Sequence, residues 1–359
     1  MTADGTGIKN ASGGEAARKH GLRGGGGKTA LLKMVIFVLP FVFVFCSLFI
    51  GRYPISPDET LRALLMAIGM PVDPVDANVY TLVVSVRLPR AIAAAAVGAG
   101  LAVSGAAFQG VFRNPLVNSG LLGVSNGAAF GAALGIVLFT GTWLRYPLAF
   151  VFGILAVGLS YWIARVYKST PTIMLILGGT IVSSVFSALV SLMKYVADAD
   201  TELPSIVYWL MGSLSSVGYE SFWSLIPIAV GCVILLVMSW RINVLSMGDK
   251  EARTLGLDVR RDKLLVIAGA TLSTAGAVCL AGVVGWVGLI IPHIGRMLVG
   301  NDNRVLVPVS LAIGAAFLVA IDLASRSVIA SEIPLGILTA LIGAPFFVYL
   351  LKKTKGGGW

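Results

Sequence analysis

Charge is scarce in this chain of 359 residues: Asp, Glu, Lys and Arg together make up 12%, against about 25% in soluble domains. Histidine is scarcer still. With His20 and His293 alone, a His-Glu-x-x-His metalloprotease site is excluded. The three cysteines, Cys46, Cys232 and Cys279, all lie in apolar runs; they read as small core residues and say nothing of redox compartment. The short alternating segments of a membrane β-barrel are also missing. What is present is 57% hydrophobic residues and a mean hydropathy of +0.90, arranged in apolar runs of about twenty residues. The chain is therefore expected to be an all-α polytopic membrane protein. Its net charge of +10 would suggest nucleic acid in a soluble protein. Here the positive-inside bias of membrane loops accounts for it, and no nucleic-acid partner is expected.

Residues 1–29 carry nine glycines with Arg18, Lys19, Arg23 and Lys28, and are expected to form a flexible basic tail. Within it, Gly24–Thr29 imitates a phosphate-binding loop. The glycine required six residues before Lys28 is replaced by Leu22, and no strand precedes, so the chain is expected to have no ATPase site of its own. Residues 30–359 are expected to form one transmembrane domain of about ten spans. Ala30–Ile50 is too long for a signal-peptide core and reads as an uncleaved first span. Gly51–Val79 is rich in proline and reads as a loop with an amphipathic helix near Asp58–Ile68. Later spans are expected at about 90–108, 121–139, 147–166, 172–195, 221–241, 264–280, 284–299, 305–321 and 334–351. Leu203–Ser213 is apolar but too short to cross, and reads as a half-depth helix lining a cavity. Ala94, Gly98, Ala102, Ala106 and Gly110 share one helix face and invite close backbone approach. Arg90, Gly98 and Gly105 recur 171 residues on as Arg261, Gly269 and Gly276, with the two arginines at opposite membrane faces, as in an inverted repeat. Ten spans place both termini on one side. That side holds 20 of the 27 basic residues and the other holds 7, which makes it cytoplasmic.

An ionisable side chain at mid-membrane costs about 2.5–3.5 kcal/mol and usually marks a proton or ion relay. Spans two, three, five, seven, eight and ten carry none away from their ends. A proton-coupled transporter is disfavoured, and any transport must draw energy from elsewhere. Asp322 and Arg326, four apart near the external end of span nine, are placed to pair. One strongly charged island interrupts the apolar chain at Gly248–Asp262. It reads as a short capped helix, with Asp249 and Glu251 at its positive end, Arg253 near the other, and Gly256 taking a left-handed cap with Leu257 folding back. By charge alone it is either a solvated turn or a docking element for a soluble cytoplasmic partner.

A set of ordered motifs then matches a known family. These are Arg87-Leu88-Pro89-Arg90, Ser104-Gly105 with Gln109-Gly110, Arg113-Asn114-Pro115-Leu116, Gly120–Gly127, Trp209–Gly212, Leu255-Gly256-Leu257, Gly288–His293 and Leu341–Phe346. The chain resembles the FecCD-type permeases of bacterial ABC importers for iron-siderophores, haem and cobalamin. The resemblance implies a type II importer permease fold and a homodimer with its pathway between the two copies, in the bacterial plasma membrane. Two cytoplasmic ATPases, which bind the ATP and Mg, would dock on Asp249, Lys250, Glu251, Arg253, Leu255, Gly256 and Leu257. An extracytoplasmic binding protein would offer carboxylates to Arg87, Arg90 and Arg326, where exposed guanidinium forks suit it. The alternatives are interfacial snorkelling for Arg87 and Arg90, and a pair with Asp322 for Arg326. Gates are implied at Asn114, Pro115 and Leu116 and near Thr172, though Pro115 and Pro171 also read as plain turn prolines. The chain itself would bind no cofactor or metal. The alternative reading of function is a secondary transporter or exporter of amphipathic metabolites.

Overall fold

A computed structural model describes residues 25–139, 144–165, 171–329 and 331–353, and every regular element among them is helical. Seven helices are long and apolar enough to cross a membrane, and three shorter apolar ones bring the set to the ten expected. The polar tail lies outside the described residues as far as 24. From there the chain is already helical, so Gly25–Thr29, expected in the tail, form the first turns of α1 (Gly25–Phe49).

α2 (Pro57–Ala67) falls where the amphipathic helix was expected. Ser56 and Glu59 close a capping box, with Ser56 Oγ accepting from the Glu59 amide at 3.2 Å and Glu59 Oε2 accepting from the Ser56 amide at 3.0 Å. Span two is longer than expected. α3 (Ala77–Tyr80), a π-helical stretch (Thr81–Arg87) and α4 (Leu88–Phe112) form one continuous rod of 36 residues. Hydropathy misplaces its start because Asp76 caps the helix well before the apolar run begins. The π stretch sits just ahead of Pro89, whose ring would crowd the carbonyl four residues back in a regular helix; the wider turn relieves it.

The chain leaves α4 through Arg113, in the left-handed conformation at φ 51°, and enters α5 (Val124–Leu138) from Gly123 at φ 86°. α6 (Arg145–Ala164) and α7 (Thr172–Val196) lie close to the expected spans; Trp143, Lys168 and Thr170 lie outside the described residues. α8 (Glu202–Met211) is the short apolar helix. It ends at Gly212, whose carbonyl accepts from Leu335, while Ser213 donates to Ala281, so it wedges between two longer helices and lines a cavity of about 160 Å³. The sixth span is interrupted: a 3₁₀ turn (Tyr219–Ser224) leads into α9 (Leu225–Val237) and then α10 (Ser239–Met247). The remaining elements are α11 (Asp249–Thr254), α12 (Val259–Ala281), α13 (Val287–Val299), which contains Pro292, α14 (Asn303–Ser327) and α15 (Leu335–Lys353).

α4 and α12 form the buried centre, with 83% and 78% of their apolar windows inside the protein. Ser104 Oγ donates to the Ala270 carbonyl at 3.2 Å between them. The small-residue face of α4 does what its spacing implies. Gly98 meets the backbone of Gly314 on α14, and Gly105 meets that of Gly288 on α13, with no room for a Cβ at either. The echoed glycines Gly269 and Gly276 make the corresponding close approaches on α12, against Gly231 and Ile234 and against Ser224 and Ile228. The weak repeat therefore falls on two helices with equivalent packing roles.

Candidate functional site

α11 is short, charged and presented outward. Lys250, Glu251, Arg253 and Leu255 are exposed, with Leu255 56% accessible despite being aliphatic. Its frame is firm. Ala252 is fully buried against the core, and Gly256 takes φ 83°. The Leu257 amide donates to the Ala252 carbonyl at 3.0 Å and the Gly256 amide to the Arg253 carbonyl at 3.0 Å. That pair of bonds is a Schellman cap, with Leu257 folded back onto the core cluster as its sequence implied. The other end is set by Gly248 at φ 134°.

Between α11 and the start of α7 lies a cleft of about 600 Å³. Its walls are Thr172 and Ile173 on one side, Asp249, Lys250 and Glu251 on the other, and Arg113 at the end of α4. The structure thus brings the expected docking helix beside the expected Thr172 gate. Asn114 and Pro115 turn away into a second cleft of about 480 Å³, shared with Gln109, His293, Arg296 and Asn303. Leu116 is exposed, its amide held by Asn114 Oδ1 at 2.9 Å. Arg113 lines both clefts and so joins the two gate regions. In the second cleft, Arg296 donates to Gln109 Oε1 at 2.5 Å, while Gln109 Nε2 donates to the Val117 carbonyl at 3.1 Å. Asp302, which caps α14 beside it, is held well below the usual carboxylate range by hydrogen bonds from Arg304 and then Asn243.

Two buried ions behind α11 were not foreseen. Asp262 is fully buried and accepts from Arg241, tying α12 to α10. Lys263 is 1% exposed and donates to Asp249 Oδ2 at 2.7 Å and to Thr172 Oγ1 at 3.3 Å. Both expectations for the charge island, a solvated turn or a docking element, place it at the surface; helical spacing on α12 carries its last residue, Asp262, and the adjoining Lys263 inward. The available signal was the Asp258 cap, which makes Asp262 and Lys263 helical rather than loop.

The three arginines gather at the other end of α4, about 35 Å along the helix axis from Arg113: Arg90 stands on α4, Arg87 on the π stretch before it and Arg326 near the end of α14. Here the expectation of exposed forks is corrected: Arg87, Arg90 and Arg326 are 3%, 6% and 7% accessible. Arg87 donates at 2.8 Å to the Leu48 carbonyl, one that α1 leaves unpaired as it ends, and at 2.7 Å to the Tyr53 carbonyl in the connection that follows. Arg90 grips Glu332 with both Nη atoms, at 2.8 and 3.0 Å, and Asp322 through Nε at 2.9 Å. Arg326 reaches the Ser47 carbonyl at 2.6 Å and lies 3.6 Å from Asp322, so that expected pair forms as part of a larger cluster. Acceptors are present on four sides, so the guanidinium groups turn inward. A cleft of about 180 Å³ still opens onto Arg52, Arg87, Arg90, Arg326 and Glu332.

Relatives match most of the chain in sequence. The molybdate import system permease protein MolB of Haemophilus influenzae is 43% identical over 314 residues, covering 87% of this chain and 92% of that protein. The cobalamin import system permease protein BtuC of Halobacterium salinarum is 43% identical over 296 residues, covering 82% of this chain and 79% of that one. A solved structure described as an inward-facing conformation of a metal-chelate type ABC transporter superposes with a TM-score of 0.80 at 39% identity, over 90% of this chain and 99% of that one. The model of the FecCD transport family matches residues 38–353. With ten apolar helices in this order, an outward-facing charged helix between the sixth and seventh, and that match from the first span to the last, the chain belongs to the FecCD transport family.

Proposed function

We propose that this protein is the permease subunit of an ABC importer that carries a metal chelate of the iron-siderophore, haem or cobalamin type into the cytoplasm. Two separate ATPase subunits power it from the side that carries α11 and both termini. The observation that carries this reading is α11 itself: a capped helix, anchored by buried Ala252, that offers Lys250, Glu251, Arg253 and Leu255 to solvent. A rigidly framed helix that presents charges of both signs around an exposed leucine supports docking of a soluble partner.

Two copies form the pathway between them. α7 leaves exposed a row of small hydroxyl residues, Thr180, Ser184, Ser187 and Ser191, of which Thr180, Ser184 and Ser191 donate to the carbonyl four residues back; such a small-residue stripe suits the close approach of a second copy. Selection lies with an extracytoplasmic binding protein, which meets the end of the molecule bearing the Arg52, Arg87, Arg90 and Arg326 cleft. The likeness to a molybdate permease supports a small oxyanion as a second candidate cargo.

Co-purification tests the reading. Tagged protein co-expressed with its ATPase partner should retain it, and Arg253→Glu with Leu255→Asp should release it while the permease stays folded. Undiminished transport by that variant would refute docking at α11. The ligand retained by the cognate binding protein identifies the cargo.

A further inference from the structure

Lys263 is an ammonium group sealed inside a membrane protein and shared by three elements. It stands in the second turn of α12, 1% exposed. It donates to Asp249 Oδ2 on α11 at 2.7 Å and to Thr172 Oγ1 at the first residue of α7 at 3.3 Å. Removing an ammonium from water costs several kcal/mol even after relaxation, and here one carboxylate supplies the opposing charge. The Asp249 side chain is itself 38% accessible and sits in the wall of the 600 Å³ cleft. That open volume gives the Asp249 carboxylate room on the cleft side, whereas the Lys263 ammonium is enclosed on all sides. If α11 moves and carries Asp249 with it, the ammonium must follow the carboxylate or stand unpaired in the core. Following it breaks the weaker contact to Thr172 or drags the start of α7 along.

We propose that Lys263 is the positioning residue that couples α11 to the Thr172 end of α7. The proposal rests on the importer reading given above. Lys263 touches neither nucleotide nor cargo; it transmits a displacement of the docking helix to the mouth of the pathway. Asp249 is its driven partner, and Thr172 is its load.

The test uses the complete complex of permease and co-purified ATPase in nanodiscs, with ATP and Mg as the only additions. Cys46, the exposed native thiol, is replaced by serine, and Ile173→Cys on the cleft wall reports through its rate of labelling by a maleimide. In the parent complex, ATP should change that rate. Lys263→Met should abolish the change while ATPase retention and ATP hydrolysis persist, and Lys263→Arg should restore it. In complexes that keep their ATPase, Asp249→Asn should likewise abolish the labelling change, and Lys263→Met should add nothing to that loss. An equal ATP response in the parent and in Lys263→Met overturns the role of Lys263 alone. Absence of any ATP response in the parent, or of a bound ATPase, overturns the importer reading and the coupling role with it.

Discussion

Single residues decide how closely the helices approach, and glycine marks the tightest places. Gly105 of α4 lies against the backbone carbonyl of Gly288 on α13. A carbonyl cannot rotate away as a flexible side chain can, so an added methyl forces the two helices apart. Gly105→Ala is expected to cost about 1–3 kcal/mol, as overpacking does, and to lower the thermal unfolding midpoint of the purified protein. Gly153 of α6 provides the contrast. A Cβ there would meet Val124 at 3.4 Å and Ala128 at 3.5 Å, ordinary contact distances. Gly153→Ala should be neutral or slightly stabilising, since alanine favours the helix by about 1 kcal/mol over glycine. Equal effects at the two positions would show that helix propensity, not close approach, governs both.

Elements are tied to one another by ions at the ends of the core, where water and lipid meet. Arg90 joins the start of α4 to α14 through Asp322 and to the connection before α15 through Glu332. Asp322 is 1% exposed, so removal of its partner leaves a carboxylate buried. Arg90→Met is expected to destabilise by about 3–5 kcal/mol, the usual cost of breaking a buried pair from one side. Adding Asp322→Asn should recover part of that loss, because the carboxylate that Arg90 leaves buried is then removed. Thermal unfolding of the single and double variants measures both effects; no recovery in the double variant would mean that Arg90 acts through Glu332 alone. The opposite end of the core follows the same logic with Arg241–Asp262 and Lys263–Asp249, which pin α12 to α10 and α11.

At the scale of the molecule, the hydroxyl face of α7 is exposed among the described residues. Under the proposal that two copies form the pathway between them, two such faces come together. Ser184→Cys in the Cys46→Ser background should therefore join two copies through a bifunctional maleimide, read as a dimer band on a denaturing gel. Trp162→Cys on α6, whose side chain is 74% exposed among apolar neighbours and would face lipid, should not. Cross-linking at Trp162 in preference to Ser184 would place the interface on α6 instead.

The count of spans, the short helices at α2 and α8 and the caps of α11 were legible in the linear chain, because each depends on residues within a turn or two. Hydropathy is summed over neighbours, and Gly256 and Leu257 cap the helix directly before them. The membership of the FecCD transport family was legible too, through motifs that keep their order. The extent of span two was not: its start was expected near Arg90, after Arg87 and Pro89, while Asp76 starts the helix earlier and a π turn absorbs Pro89. Only the tertiary structure decided where the long cations go. Arg90 meets Asp322 across 232 positions and Lys263 meets Thr172 across 91, and no local periodicity encodes such partners. A guanidinium at a helix end is equally suited to solvent, lipid headgroup or a buried carboxylate; the packing order of the helices places the carboxylates and free carbonyls around it and so turns it inward.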